Sequence, residues 1–140
     1  IIQTCNPEHP VLRLAEAQNY PAFYQNEIAL RRALVFPPFC DMVLLTFASE
    51  DEPLVRDTAQ RCYRHLMILR QKEYADVALQ CFGPFEAAVW RVCGKYRMRM
   101  VCKCRMNKRT RAFWNALLVS LPTKLYEAVS ISLDVNPSSL

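Results

Sequence analysis

The chain has 140 residues, 52% hydrophobic and 22% charged, a balance that suits one packed globular core and excludes a disordered chain. Two glycines against nine prolines exclude a flexible linker, a collagen repeat and a glycine-rich phosphate loop. No apolar run approaches the ~20 residues of a membrane-spanning helix, so no membrane partner is expected. The opening Ile1-Ile2-Gln3, without initiator Met or leader, reads as part of a longer polypeptide.

In chain order, Ile1–Thr4 reads as the end of a strand, followed by the turn Asn6-Pro7-Glu8-His9-Pro10. Val11–Gln18 forms a short helix, and Asn19 caps a second with Pro21 in its first turn. Val35-Phe36-Pro37-Pro38-Phe39 stops that helix and sets a domain boundary, leaving residues 1–39 as a helical connector and 40–140 as an α+β domain. Asp41–Ser49 is a largely buried strand. Pro53 opens an amphipathic helix whose core stripe is Val55, Ala59, Cys62, Tyr63, Leu66 and Met67. Val77–Phe82 reads as a strand ended by a Gly83-Pro84 turn, Ala87–Cys93 as another, and Gly94-Lys95 as a hairpin turn into Tyr96–Arg105. Asn107 caps a helix carrying Phe113, Trp114, Leu117, Leu118 and Leu121, which Pro122 ends; Ala128–Val135 is the last strand. With one of the three central strands short, the order is that of a split β-α-β sandwich of ferredoxin-like type, with both helices on one face of an antiparallel sheet.

Charge is unevenly distributed. The chain is +5 overall, but Ala87–Tyr126 contains no acid and ten basic residues, so this stretch is +10 and the rest −5. Strand alternation sends Met98, Met100, Cys102 and Cys104 beneath the helices and Arg97, Arg99, Lys103 and Arg105 to the open face. Lys108, Arg109 and Arg111 begin the next helix, where cations oppose the helix dipole and free N–H groups favour anions. Trp90 and Trp114 read as core, leaving Tyr96 as the aromatic best placed to stack near the arginines. That is thin for base readout, so phosphates or an acidic peptide are the expected ligands. The alternative is a solvated basic surface, or one docked on a neighbouring domain.

Seven scattered cysteines without CxxC spacing read as reduced thiols, several of them small buried hydrophobes. Cys102-x-Cys104 with His65 or Cys93 supplies too little of a tetrahedral shell to be a metal site. GxxxxGK[ST], GxGxxG, HExxH and GxSxG are all missing, and His9 and His65 have no sequence neighbours suited to nucleophilic catalysis, so no catalytic residues are expected.

Several segments together resemble a known family: Ile1–Pro10 (IIQTCNPEHP), Phe23-Tyr24 with Glu27 and Arg31, Phe36-Pro37-Pro38-Phe39, Gly83-Pro84, Tyr96-Arg97 and Leu133-Asp134-Val135-Asn136-Pro137. Their order and spacing resemble the C-terminal end of the primosomal protein N-prime (PriA) family of bacterial replication-restart helicases. The family's terminal motif usually reads Asp-Val-Asp-Pro, where this chain has Asn136. The resemblance implies an ATP-dependent 3′-to-5′ DNA helicase as parent, cytoplasmic and nucleoid-associated. ATP, magnesium and a cysteine-ligated zinc would be bound upstream of Ile1, and none of them by this stretch. Residues 1–39 would include the end of a helicase lobe. Forked or single-stranded DNA, the acidic tail of single-stranded DNA-binding protein and other primosome proteins are the implied partners. The residues expected to meet the anionic ligand are Tyr96, Arg97, Arg99, Lys103, Arg105, Lys108, Arg109 and Arg111. Two other roles fit the same residues: a structural domain docked on the helicase lobes, and an RNA-binding module of ribosomal-protein type.

Overall fold

The computed structural model describes residues 3–122 and 128–138, and the chain divides into two compact units, Ile1–Phe39 and Cys40–Leu140. In the first, α1 (Pro10–Glu16) is capped by the His9 ring and α2 (Tyr20–Ala33) by the Asn19 side chain, which accepts from the Ala22 N–H at 3.2 Å. Gln3 and Thr4 are not in a strand, and Ile1 and Ile2 lie outside the described residues.

The second unit is built on β1 (Asp41–Ser49), where Val43, Leu45 and Phe47 alternate into the core and are fully buried. Asp51 then accepts from the Leu54 N–H at 2.9 Å and caps α3 (Glu52–Lys72), while Pro53 occupies a position whose N–H would have had no partner. The stripe Val55, Ala59, Cys62 and Leu66 is fully buried, as its helical spacing requires. β2 (Leu79–Val92) and β3 (Lys95–Cys104) form a hairpin, α4 (Lys108–Ser120) starts at Asn107, which accepts from the Thr110 N–H at 2.9 Å, and β4 (Ser130–Val135) closes the sheet. The strand order is β2-β3-β1-β4 with every neighbouring pair antiparallel. Phe113, Trp114 and Leu117 of α4 join the α3 stripe and the β1 and β3 side chains in one core. This is an α+β, ferredoxin-like sandwich with its helices packed on one face.

The hairpin departs from its sequence pattern. Gly83-Pro84 is not a turn between two strands. β2 runs through it, with Phe82 opposite Val101 and Phe85 opposite Arg99, so three steps on β2 match two on β3. A bulge accommodates a proline that has no N–H to give the ladder. Gly83 has φ +97°, and a Cβ there would lie 2.8 Å from the Phe85 ring and 3.0 Å from the Arg99 carbonyl oxygen, so glycine is required. The hairpin turn is Cys93-Gly94, both at positive φ (48° and 80°), rather than Gly94-Lys95. β4 begins two residues later than the alternation suggested, at Ser130.

A polar clasp ties the start of β1 to the ends of β3 and β4. The Asp41 carboxylate accepts from Asn136 Nδ2 at 2.8 Å and from the Met106 N–H at 2.7 Å; Asn136 Oδ1 accepts from the Met42 N–H at 2.9 Å. Donation from Asn136, then from Met106, holds the Asp41 carboxyl below its usual range. The stability this contributes is complete above the unfolded value and is lost as pH falls through the lower folded value. Asp41→Asn therefore loses stability at pH 7 and shows a shallower decline under acid, measurable by urea unfolding from pH 7 down to about pH 2. In the same assay Phe47→Ala, at the centre of the core, loses about 3–5 kcal/mol.

Candidate nucleic-acid interface

β3 lies between β2 and β1, so both of its edges are hydrogen-bonded and its alternation is fixed. Met98, Met100, Cys102 and Cys104 are buried on the helix side. Arg97, Arg99 and Lys103 point the other way, opposite Ala48, Thr46 and Met42 of β1. At the strand rise of about 3.3 Å these three cations span roughly 20 Å. Arg105, Lys108 and Arg111 are exposed and continue the basic run around the sheet end to the first turns of α4.

Two of the eight expected site residues are placed elsewhere. Tyr96 shares the face of Met98, packs against the core with its ring 5.4 Å from Trp90, and carries the Arg91 guanidinium 4.9 Å above it. It is not on the face of Arg97 and Arg99. Arg109 is engaged within the domain: its Nε lies 3.1 Å from Asp76, one Nη donates to the Glu73 carbonyl at 2.5 Å, and the guanidinium sits 4.4 Å over the Tyr74 ring. The Arg109 hydrogen bond holds the Asp76 carboxyl below its ordinary value.

Two aromatics that the sequence pattern does not single out stand on this face. Phe82 and Phe85 are 41% and 43% exposed and lie on the open face opposite Val101 and Arg99. The Lys103 ammonium stands 5.6 Å from the Phe82 ring centroid. A phenylalanine three residues from another would normally face the opposite side of a strand; the Gly83-Pro84 bulge resets the alternation and brings both rings to the same side. Two exposed phenylalanines around a Gly-Pro pair are a signal in the sequence, but only the bulge gives it meaning.

The cysteines and histidines stay apart from this surface. Cys81 and Cys102, paired across β2 and β3, have their sulfurs 2.8 Å apart on the core face. The hydrogen bond to Cys81 and burial raise the Cys102 thiol, while burial pushes Cys62 up to about 12 and Cys104 to about 11. Among the described residues no three His, Cys, Asp or Glu side chains form a metal-holding group. The fold does bring Ser120 to within 2.6 Å of His65 Nε2, a neighbour the sequence did not reveal. The Ser120 hydroxyl donates to the Leu117 carbonyl at 2.7 Å.

An antiparallel sheet with helices on one face and Arg97, Arg99 and Lys103 of β3 on the other defines the class as an α+β sandwich. Residues 32–138 match the family described as Primosomal protein N C-terminal domain, and the chain belongs to that family. It is 28% identical over 138 residues to the replication restart protein PriA of Bacillus subtilis, covering 98% of this chain and 16% of that protein. The Treponema pallidum replication restart protein PriA is 35% identical over 103 residues, 74% of this chain and 15% of that protein. The chain thus spans less than a fifth of either relative. It is also similar to a de novo designed protein with ferredoxin fold (TM-score 0.48, 13% identity, 72% of this chain and 88% of that one). No helix among the described residues is long and apolar enough to cross a membrane.

The thiols provide a check on which face is open. A maleimide added to the native chain labels Cys5 and Cys93, both exposed, within minutes; Cys62, Cys102 and Cys104 react only after denaturant is added, as read by mass spectrometry of the peptides.

Proposed function

We propose that this chain is the non-catalytic DNA- and partner-binding domain of a replication-restart helicase, holding forked or single-stranded DNA by its phosphates. The observation that carries the reading is the acid-free run from β3 into α4, which puts Arg97, Arg99 and Lys103 on one face and Arg105, Lys108 and Arg111 beside it. Contacts of this kind release counterions and give affinity without base sequence preference. The acidic tail of single-stranded DNA-binding protein offers carboxylates to the same surface and competes with DNA for it. In this reading the ATP, magnesium and zinc of the parent enzyme are bound upstream, this domain needs none of them, residues 1–39 carry the end of a helicase lobe, and the protein works in the bacterial cytoplasm with other primosome proteins.

Fluorescence anisotropy with forked DNA, single-stranded DNA and an acidic peptide tests this at two salt concentrations. Arg97→Ala, Arg105→Ala, Lys108→Ala and Arg111→Ala each weaken DNA binding, and each lowers the dependence of log K on log salt by about one. Arg109→Ala, whose guanidinium holds Asp76 and Tyr74, lowers stability and leaves the salt slope unchanged. Equal affinity of the wild type and a variant carrying all four substitutions at low salt rejects the surface; the domain then serves as a docking piece within the longer protein.

A further inference from the structure

We propose that the open face of β2 and β3 takes unpaired bases of single-stranded DNA, stacked on Phe82 and Phe85, with Arg97 and Arg99 against the adjoining backbone. The inference rests on the DNA-binding reading above and adds to it a preference for bases over bare phosphate.

Four observations carry it. Both rings are more than 40% exposed on the open face, where apolar surface gains nothing from the core on the other side. They lie opposite Val101 and Arg99, two residues apart on β3, hence about 7 Å apart along the strand. That separation suits splayed bases, each on its own ring, as single strands are held on other open sheets. The bulge is what orients them: the Gly83-Pro84 insertion brings Phe85 to the side of Phe82, and Gly83, at φ +97°, leaves the space beside the Phe85 ring that a Cβ would take. Finally, the surroundings are cationic. Arg99 is the cross-strand partner of Phe85 and the Lys103 ammonium stands over Phe82, a combination of ring and cation that matches a base with its phosphate. An apolar peptide would find the rings but not use the charges; a duplex would use the charges but present no free base face to the rings.

The experiment compares an oligodeoxythymidine with an abasic oligomer of equal length and charge, using the full 140-residue chain. The wild type binds the thymidine oligomer about tenfold or more tightly than the abasic one. Phe82→Ala with Phe85→Ala removes that difference and leaves the abasic affinity and its salt slope unchanged. Phe82→Tyr with Phe85→Tyr, which keeps both rings, retains the preference, and thermal unfolding confirms that both double variants remain folded. Equal binding of the two oligomers by the wild type overturns the inference while leaving the phosphate reading intact. Binding of neither oligomer overturns both. Should the alanine variant keep the preference, the rings cover some other surface and the stacking assignment fails. Tighter binding of the matching uridine ribo-oligomer would reassign the face to RNA.

Discussion

The alternation of β3, locked between two hydrogen-bonded neighbours, governs both halves of the domain. Its nine-residue pairing with β1, from Asp41 opposite Cys104 to Ser49 opposite Tyr96, fixes which side chains enter the core. Met98, Met100 and Cys102 meet Phe47, Leu45 and Val43 there. A slip of one residue would turn the other face of β3, Arg97, Arg99, Val101 and Lys103, toward the core. Burying unpaired cations costs several kcal/mol each, far beyond what a small domain can lose. The core's register and the position of the basic face are therefore a single constraint: hydrophobic packing places the charges.

The cations fall into two groups by face. Two arginines on the helix side have carboxylates: Arg56 pairs with Glu52 at 3.0 Å and Glu86 at 2.5 Å while lying over Trp90, and Arg109 pairs with Asp76. These pairs are at least 39% exposed at both partners, so each contributes modestly to stability; their effect is to fix how the helix side meets the hairpin and the start of α4. The cations of β3 face a different environment. Arg97 and Arg99 stand two residues apart on one strand, about 7 Å along its backbone, and the β2 and β1 residues opposite Arg99 are Phe85 and Thr46. Like charges on one face repel, so the arrangement is tolerated for folding rather than favoured by it.

Much of this was legible in the sequence because it depends on local chemistry. The limits of β1, the α3 stripe, the Asn19 and Asn107 caps and the two faces of β3 follow from short-range periodicity and capping. What was not legible depends on residues far apart in the chain. Asp76 is 33 positions from Arg109, and nothing near Arg109 announces that its charge is used internally. Tyr96 is adjacent to Arg97 in sequence, yet adjacency along a strand means opposite faces. Gly83-Pro84 has the composition of a turn, and only the continuous pairing of β2 with β3 makes it a bulge. Nothing near Asn136 in sequence announces the clasp either: its Nδ2 donates to the Asp41 carboxylate, where an aspartate would set two negative charges together.

The aromatics of the hairpin follow the same division as the cations. Trp90 and Tyr96 touch each other, pack on the core and carry Arg56 and Arg91 over their rings, so their apolar area is used in holding the helix side together. Phe82 and Phe85 sit on the same two-stranded ribbon but project the other way, and β2 is the outer strand there. Were that edge selected for solubility alone, polar side chains would serve better, because large exposed apolar groups on an edge strand invite association. Gln80, the neighbouring open-face residue opposite Lys103, shows that polar side chains fit this row. Two phenylalanines held on one side by a bulge that needs glycine are costly to a free domain, because exposed apolar surface on an outer strand gains nothing from the core.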